Sequence, residues 1–470
     1  MTRVLAVLAL AVVLAVGCSR RPSPAHTYAV AARRIGEAAL AGDGGWRRLE
    51  QLTDRVGHRI SGSPELAKAV AWARDSLAAD GHENVALEDV HVPHWTRGEE
   101  SAAIVAPIAR PLVVLGLGGT VGTPPGGVTA PIAVVSSFAE LDALGATGVR
   151  GKIVVFNHAM NTAHGAGLGY RDAIGYRVSG AMRAAPLGAV AVLVRSLASA
   201  SLRTPHTGAM RYVSDAPPTL NAAAPPPPAP RIPGAAIAVE DAELLARLAA
   251  QVQPVTVHLS MGAQTLPDAP SANVVAELRG RERPEEVVLI GAHLDSWDVG
   301  QGAQDDGAGC AIMMEALATL RRLDLRPRRT IRVVLFVAEE QGHMGAAQYA
   351  ERHRAELPSI VAAIESDAGA GTPLGFSTDG TPPWMGDARA IAHLLAPVGA
   401  SKIVQGFPGE DVMALKPVPA MGLYVDISHY FDVHHSPADT LDKIDPDHMR
   451  HAVAAVATMA YVLADRQERW

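Results

Sequence analysis

Side chains able to bind a metal follow a short apolar strand in the second half of the chain. Val287 to Ile290 is a β-branched and aliphatic block, and His293 and Asp295 come soon after it. Such a block is typical of a buried parallel strand. A glycine-containing loop can then bring Asp305 back to the strand end before a predicted helix begins near Gly307. A single His-x-Asp pair is weak evidence by itself, but it suggests a metal site.

Two further predicted strands also end in acidic residues. Ile331 to Val337 is followed by Glu339 and Glu340, whose side chains face opposite ways on an extended chain. One of the two can bind a metal while the other transfers a proton. Val361 to Ile364 is followed closely by Asp367. Three successive strands that end in this way favour one shared site over three separate solvated strand ends.

Imidazole nitrogen is supplied again near the end of the chain by the adjacent histidines His434 and His435. Nitrogen and carboxylate ligands without thiolates suit zinc, and the set is larger than one tetrahedral ion can use. The residues therefore predict two zinc ions as cofactors. Cys310 is predicted to be a buried helix residue and not a ligand.

The elements that must position these side chains alternate between strand and helix from Ala272 onward. Helices are predicted at about Gly307 to Arg322 and Gly345 to Arg354, between the apolar strands. This order predicts the α/β class, with a three-layer and mostly parallel sheet. In such a sheet, ligands collect at the carboxyl ends of the strands.

Residues 99–264 have a different character, with short apolar runs separated by glycine and proline. They predict a smaller β-rich domain inserted into the first, which then comprises residues 28–98 and 265–470. Three histidines of this region have no carboxylate partners at useful spacing, so they are predicted not to be ligands: His158, His164 and His206. Helices are predicted here at Val178 to Ala185 and Glu240 to Leu248.

Composition narrows the function further. A chain of 470 residues with 48% hydrophobic and 19% charged residues fits a globular protein of two domains. A formal charge of −7 gives no basic face of the kind that neutralises phosphates, so nucleic acid is not expected as a partner. A small or peptidic substrate is compatible with these numbers.

The first 18 residues predict export. Arg3 precedes the apolar run Val4 to Val16, which is too short to span a bilayer permanently, and Gly17 and Cys18 follow. The ending resembles a bacterial lipobox, which predicts a membrane-anchored lipoprotein of the cell envelope. The alternative is an ordinary signal peptide and a secreted protein in which Cys18 carries no lipid. Residues 19–27 are expected to be a tether, and the first helical pattern begins at Tyr28.

The joint motif set resembles the co-catalytic zinc exopeptidases of the plasma glutamate carboxypeptidase group. The motifs of the predicted site are GAHLDSWDVGQGA-x-DDG from Gly291, AEEQG from Ala338, ESDAG from Glu365 and HHS-x-x-DT from His434. Similar segments elsewhere include LTDRVG-x-R-x-SGS from Leu52 and GKIVV-x-N from Gly151. The resemblance extends over most of the chain after about residue 45.

The resemblance implies a role for each residue of the site. One zinc ion would be held by His293, Asp305 and Asp367, and the other by Asp305, Glu340 and His435, with Asp305 as the bridge. Glu339 would be the general base that takes a proton from the attacking water and passes it to the leaving amine. Asp295 would orient His293.

The resemblance carries further implications. The inserted domain would be a protease-associated domain that shapes the cleft, the peptide bond between Asp305 and Asp306 would be cis, and the protein would form a homodimer. The substrate would be a dipeptide or the terminus of a short peptide, and the membrane would be reached only through a lipid anchor.

The chain also departs from the group's pattern. His343 stands where glycine is preferred, and the segments Gly371 to Gly386 and Gly406 to Ala414 are altered, which leaves the side-chain preference open. Two other functions are compatible with the motifs: a non-catalytic binding homologue, and an aminoacylase-type amidohydrolase on the same metal centre.

Overall fold

A computed structural model describes residues 24–212, 230–251 and 253–469. The predicted signal peptide, Cys18 and most of the predicted tether lie outside the described residues. The first helix begins at Pro24, inside the segment expected to be a tether. No helix of the described ranges is both long and apolar enough to cross a membrane.

Twelve helices and sixteen strands are described. The helices are α1 (Pro24–Ala41), α2 (Gly44–Arg55), α3 (Pro64–Ala79), α4 (Phe138–Val149), α5 (Ala166–Ala184), α6 (Val239–Ala249), α7 (Ala308–Arg322), α8 (Met344–Arg352), α9 (Pro382–Ala392), α10 (Glu410–Met413), α11 (Tyr430–Val433) and α12 (Pro446–Asp465). The strands are β1 (Glu83–Thr96), β2 (Glu100–Ala106), β3 (Arg110–Leu112), β4 (Val114–Gly116), β5 (Val128–Val135), β6 (Ile153–Phe156), β7 (Ala191–Arg195), β8 (Gly234–Ile237), β9 (Thr256–Met261), β10 (Gln264–Leu278), β11 (Arg283–His293), β12 (Arg329–Phe336), β13 (Ile360–Glu365), β14 (Pro373–Thr378), β15 (Lys402–Gln405) and β16 (Ala420–Val425).

The first sheet has eight strands in the order β1-β10-β12-β11-β13-β16-β14-β15. Its four central strands, β12, β11, β13 and β16, are parallel neighbours, whereas β1, β10 and β14 pair antiparallel. Helices α7 and α12 pack on one face through residues such as Ile312 and Val456. Helix α8 covers the other face, where Tyr349 meets Phe336 edge-on at 5.7 Å between ring centroids. The predicted three-layer α/β sheet is confirmed.

A second eight-stranded sheet is built from strands that lie in sequence between β1 and β10, in the order β3-β2-β9-β5-β6-β7-β8-β4. We call residues 99–264 the inserted unit. Its strands β5 to β8 are parallel neighbours, whereas its other strand pairs are antiparallel. The chain enters and leaves the inserted unit through adjacent strands of the first sheet, because Trp95 of β1 pairs with Thr265 of β10.

Two helix boundaries differ from the sequence-based prediction. The helical pattern from Tyr28 to Leu52 forms two helices, α1 and α2, interrupted at Gly42 and Asp43. Helix α5 begins at Ala166, well before the predicted Val178. Its first turns contain glycines that read as loop, yet Gly169 is required by packing: a Cβ there would lie 2.2 Å from the carbonyl oxygen of Asn161.

Candidate metal centre

The carboxyl ends of the four parallel strands bring the predicted ligands together. His293 is the last residue of β11, Glu340 follows β12, and Asp367 follows β13. His435 comes after β16, just beyond α11. All four approach Asp305, which lies in the turn that leads into α7. The peptide bond after Asp305 is cis, as the resemblance implied.

Asp305 presents one carboxylate oxygen to each of two histidines. Its Oδ1 lies 3.2 Å from His293 Nε2, and its Oδ2 lies 3.1 Å from His435 Nε2. Asp367 Oδ1 is also 3.2 Å from His293 Nε2, and Glu340 Oε2 is 3.0 Å from His435 Nε2. The five predicted ligands therefore form two overlapping groups that share Asp305.

The ligand atoms of the described residues cluster in the same two places. One group is His293, Asp305 and Asp367, as predicted, whereas the other joins Asp305 and His435 with His434 instead of Glu340. His434 stacks on His435 with 3.6 Å between ring centroids and 19° between ring planes. Both rings reach the same carboxylate oxygen, since His434 Nε2 lies 3.4 Å and His435 Nε2 lies 3.1 Å from Asp305 Oδ2. Glu340 Oε2 is 3.0 Å from His435 Nε2, so Glu340 and His434 are both placed to join Asp305 and His435 at this position.

The buried acids are poorly satisfied by the protein alone. Asp305 Oδ2 and Glu340 Oε1 are buried and accept no aligned hydrogen bond. Burial raises the pKa of Glu340 to about 8 and that of Asp367 to about 7. A divalent cation would supply the missing charge and coordination, so the residues present fit a metal centre.

The backbone fixes the orientation of both imidazoles. His293 Nδ1 lies 3.1 Å from the carbonyl oxygen of Asp295, and His435 Nδ1 lies 3.3 Å from that of Thr207. Donation from Nδ1 to a carbonyl leaves the Nε2 lone pair free to face a metal. Thr207 belongs to the inserted unit, so that unit helps to orient one ligand histidine.

Asp295 contacts His293 through its backbone carbonyl and, at ion-pair distance, through its carboxylate. Its Oδ1 is 3.7 Å from His293 Nδ1, beyond a hydrogen bond. The carboxylate instead accepts the backbone N–H of Glu339 at 3.1 Å and, more weakly, that of Glu340 at 3.4 Å. Asp295 is fully buried, and it therefore fixes the turn that carries the candidate base and one ligand.

Two residues that sequence reasoning left without a role hold the loop around Asp305. Asp439 accepts the backbone N–H groups of Ala303, Gln304 and Asp305 at 3.1, 2.7 and 3.2 Å. Burial raises the pKa of Asp439 to about 7, and the bonds from these N–H groups act in the opposite direction. Asp439 is the aspartate of the HHS-x-x-DT motif, and its place in that motif was the feature of the sequence that could have indicated its role.

Arg59 is the second such residue, and its side chain is fully buried. Its guanidinium donates to the carbonyl oxygens of Leu294, Gln301 and Gly302 at 2.7, 2.7 and 3.0 Å. These bonds connect both ends of the loop that follows β11. The arginine of the LTDRVG-x-R segment was the signal for it.

Trp297 joins a metal ligand to the inserted unit. Its indole N–H donates to Glu340 Oε2 at 2.6 Å, and its ring packs on Gly118 of the inserted unit. Arg97, which directly follows β1, donates to Asp298 Oδ2 at 2.8 Å. These contacts tie the position of the second sheet to the metal centre.

Histidines of the inserted unit belong to neither ligand group of the described residues. His158 does have a carboxylate partner, Asp172 Oδ2 at 2.9 Å, which its spacing did not suggest. His206 is buried with no aligned partner at either ring nitrogen. Cys310 is buried in α7, as predicted, with its Sγ 3.0 Å from the carbonyl oxygen of His293.

A cavity of about 480 Å³ opens over the candidate ligands. The inserted unit contributes three arginines to it, and the first sheet contributes the acids and histidines. These charged residues are Arg171, Arg177, Arg211, Asp305, Glu339, Glu340, His343, Asp367, Glu410, His434 and His435. A larger cavity of about 710 Å³ adjoins it at Asp367 and Phe407.

Comparisons with known proteins identify the family and the fold. The model of peptidase family M28 matches residues 273–460. Carboxypeptidase Q of Mus musculus is 44% identical over 90% of this chain and 86% of its own length. The crystal structure of a peptidase M28 precursor from Shewanella amazonensis covers 94% of this chain and 98% of its own, at 36% identity and a TM-score of 0.87. A zinc aminopeptidase from Bacillus subtilis has the same fold, with a TM-score of 0.65 at 18% identity over 90% of this chain and 95% of its own.

The identity to carboxypeptidase Q extends over nearly the whole described chain, including the inserted unit. The family model covers the segment that carries all five candidate ligands. The chain therefore belongs to peptidase family M28, as a relative of carboxypeptidase Q and a metal-dependent peptidase.

Proposed function

We propose that the chain is a two-zinc exopeptidase that hydrolyses dipeptides or removes the C-terminal residue of short peptides. His293, Asp305 and Asp367 would hold one ion, and Asp305, Glu340 and His435 the other. The observation that carries the proposal is that the two carboxylate oxygens of Asp305 contact different histidines: Oδ1 contacts His293 and Oδ2 contacts His435. Nitrogen and carboxylate donors without a thiolate suit zinc.

When bound, two such ions would lower the pKa of a water and polarise the scissile carbonyl. The remaining steps fall to the protein. Glu339 lines the cavity together with candidate ligands of both groups, with only 11% of its side chain exposed. Its carboxylate would accept the proton of the attacking water and deliver it to the leaving amine nitrogen. Asp295 would keep Glu339 in place through the backbone bond described above.

The arginines of the inserted unit support a substrate with a free terminal carboxylate. Arg171, Arg177 and Arg211 line the same cavity as the acids, and Arg177 is buried, with its Nη1 donating to the carbonyl oxygen of Thr207 at 3.3 Å. Guanidinium groups recognise carboxylates through paired hydrogen bonds. Arg177 Nη1 lies 3.4 Å from Nδ1 of the candidate ligand His435, and so short a separation fits a dipeptide or a C-terminal residue. In this proposal the inserted unit is a protease-associated domain that shapes the cleft.

The adjoining cavity supports an apolar side chain on the substrate. Its walls include Leu374, Leu423, Val425, Ile427 and Phe407. The acidic and basic residues of its lining are Arg171, Glu365, Asp367 and Asp426. We therefore expect dipeptides with an apolar residue to be hydrolysed faster than those with charged residues.

A substrate panel tests the proposed function. Purified protein is assayed with free dipeptides, their C-terminal amides, N-acetyl dipeptides and N-acyl amino acids, with and without a chelator. Free dipeptides should turn over, amidation should raise KM, and chelation should abolish turnover until zinc is restored. Preference for N-acyl amino acids would favour the aminoacylase alternative. Binding of dipeptides without hydrolysis would favour the non-catalytic homologue.

Substitution of arginine separates recognition of the carboxylate from general charge effects. Arg211→Met should raise KM for free dipeptides by about tenfold, because a charged hydrogen bond contributes about 1.5–3 kcal/mol, and should leave C-terminal amides unaffected. The matched control is Arg247→Met, since that side chain is 66% exposed on α6. Equal KM changes for free and amidated peptides would contradict the role of Arg211.

We also propose that the chain is exported and lipidated at Cys18, on the sequence pattern of residues 1–18. Fractionation of cells tests this: the wild type should follow the membranes, and Cys18→Ser should release it or stall its processing. Soluble wild type in the culture medium would contradict lipidation.

A homodimer is proposed only from the resemblance, and light scattering of the purified protein tests it.

A further inference from the structure

Three of the six non-glycine residues with left-handed backbone in the described ranges lie around the metal centre. They are Ala338, His343 and His435, with φ of 59°, 58° and 58°. Ala338 and His435 lie at turns that present ligands or the base. A left-handed residue with a Cβ costs roughly 1–2 kcal/mol relative to its usual conformation, and such positions often mark functional sites. His343 has no ligand role, so its side chain calls for another explanation.

The side chain of His343 reaches the candidate base. Its Nδ1 lies 3.1 Å from Glu339 Oε1, at ion-pair distance but short of a fully aligned hydrogen bond. The backbone reinforces the pairing, because the N–H of His343 donates to the carbonyl oxygen of Glu339 at 2.9 Å. The contact with Glu339 is the first cause of the raised pKa of His343, so the imidazole is disposed to carry positive charge beside the carboxylate.

A third residue lies on the far side of the imidazole. His343 Nε2 is 4.0 Å from Glu410 Oε2, at the start of α10. The exposed fraction of the side chains rises along the series, from 11% for Glu339 to 40% for His343 and 50% for Glu410. The three residues thus extend from the metal centre to the mouth of the cavity, whose lining includes all of them.

We propose that His343 is a positioning residue that holds Oε1 of Glu339, so that Oε2 of the same carboxylate faces the attacking water. Glu410 supports the imidazole from the cavity mouth. The inference rests on the proposed function, because it assigns a partner to the base of that reaction. It explains why a histidine occupies a backbone conformation that suits glycine.

Three substitutions at His343 separate positioning from structure. His343→Gly removes the side chain and suits the left-handed backbone, so the melting temperature should stay equal or rise. The value of kcat should fall about tenfold, the effect of losing a close polar contact with a charged group. KM should change by less than about twofold, because the substrate does not contact His343 in this proposal. Zinc content should equal that of the wild type.

The isosteric pair His343→Asn and His343→Asp gives the sharper comparison. Asparagine tolerates positive φ, and its Nδ2 occupies the place of the imidazole Nδ1, so it should restore part of the kcat lost in the glycine variant. Aspartate has the same size but places an anionic oxygen against Glu339, so its kcat should fall below that of the glycine variant. Glu410→Gln should lower kcat less than His343→Gly and should have no further effect in that background.

Asp324→Gly is the matched control, since Asp324 is an exposed residue with φ of 52° far from the cavity. It should leave kcat unchanged. Equal kcat for wild type, His343→Gly and His343→Asp would overturn the inference, as would loss of zinc or a lower melting temperature in His343→Gly. Absence of turnover in the wild type would instead overturn the proposed function.

Discussion

Asp305 is the residue on which the site depends, because its two oxygens face two different histidines. The types and order of the ligands could be predicted, since strand ends and motifs are visible in the sequence. The hydrogen-bond partners of a buried carboxylate such as that of Asp295 were harder to predict. Asp295 holds backbone N–H groups of Glu339 and Glu340, and nothing in residue spacing distinguishes such a bond from one to His293.

Glu339→Gln should leave two zinc ions bound and reduce kcat by about 10²–10⁴, the range for loss of a general base. The amide occupies the same space but cannot accept the proton of water. Metal analysis and dipeptide turnover of the same preparation check this. Normal turnover at full metal content would remove Glu339 from the role of base.

At the scale of elements, four parallel strands deliver ligands to one edge, and the loop between β11 and α7 closes the site. The strands were predictable because buried apolar runs with acidic ends are distinctive. The loop was not, because Asp439 and Arg59 hold it from segments far away in sequence. Its glycines are required by close packing: a Cβ at Gly302 would lie 2.5 Å from Ser296 Cβ.

Asp439→Asn should weaken zinc binding by about 10–100-fold, the usual cost of losing a group that orients a ligand. The carboxylate accepts three backbone N–H groups, and the amide would turn one acceptor into a donor that opposes them. Titration with a competing chelator measures the affinity. Asp442→Asn, at an exposed residue of the same segment, is the control. Equal affinity in both variants would contradict the role of Asp439.

His82 lies at the turn between α3 and β1, and it should make stability depend on pH. Burial lowers its pKa from 6.5 to about 4, and Asp80 only partly offsets this. As the pH falls, the unfolded chain therefore binds a proton at His82 before the folded chain does. The stability of the folded state that depends on neutral His82 is fully present above pH 6.5 and is lost as the pH falls toward 4. The loss is on the order of 3 kcal/mol.

Urea unfolding of wild type and His82→Met at pH 7 and pH 5 measures this effect. The variant should lose less stability between the two pH values than the wild type does. His393→Met removes an exposed histidine and serves as the control. Equal losses in wild type and His82→Met would show that His82 is not the source of the pH dependence.

At the scale of the whole molecule, the inserted unit completes the cleft instead of standing apart from it. Its Thr207 orients His435, its Gly118 packs on Trp297, and three of its arginines line the cavity that holds the candidate ligands. The existence of the unit was predictable from the change in composition after residue 98. The start of α5 was not, because packing against Asn161 requires glycine inside a helix.

Gly118→Ala should separate the inserted unit from Trp297, since the added Cβ would lie 2.0 Å from the indole ring. We expect a loss of about 1–3 kcal/mol from overpacking and weaker binding of the ion beside Glu340, which accepts the indole N–H. Thermal unfolding and metal analysis measure both. Gly386→Ala, where a Cβ meets nothing within 4 Å, is the control. Unchanged stability would contradict this junction.

The bridging role of Asp305 is tested most directly by the zinc stoichiometry of purified variants. The wild type should hold two ions per chain. Asp305→Ala should lose both, because each ligand group contains this carboxylate, whereas Glu340→Ala should mainly weaken one. Equal zinc content in Asp305→Ala and Glu340→Ala would contradict a shared carboxylate and the two-ion centre built on it.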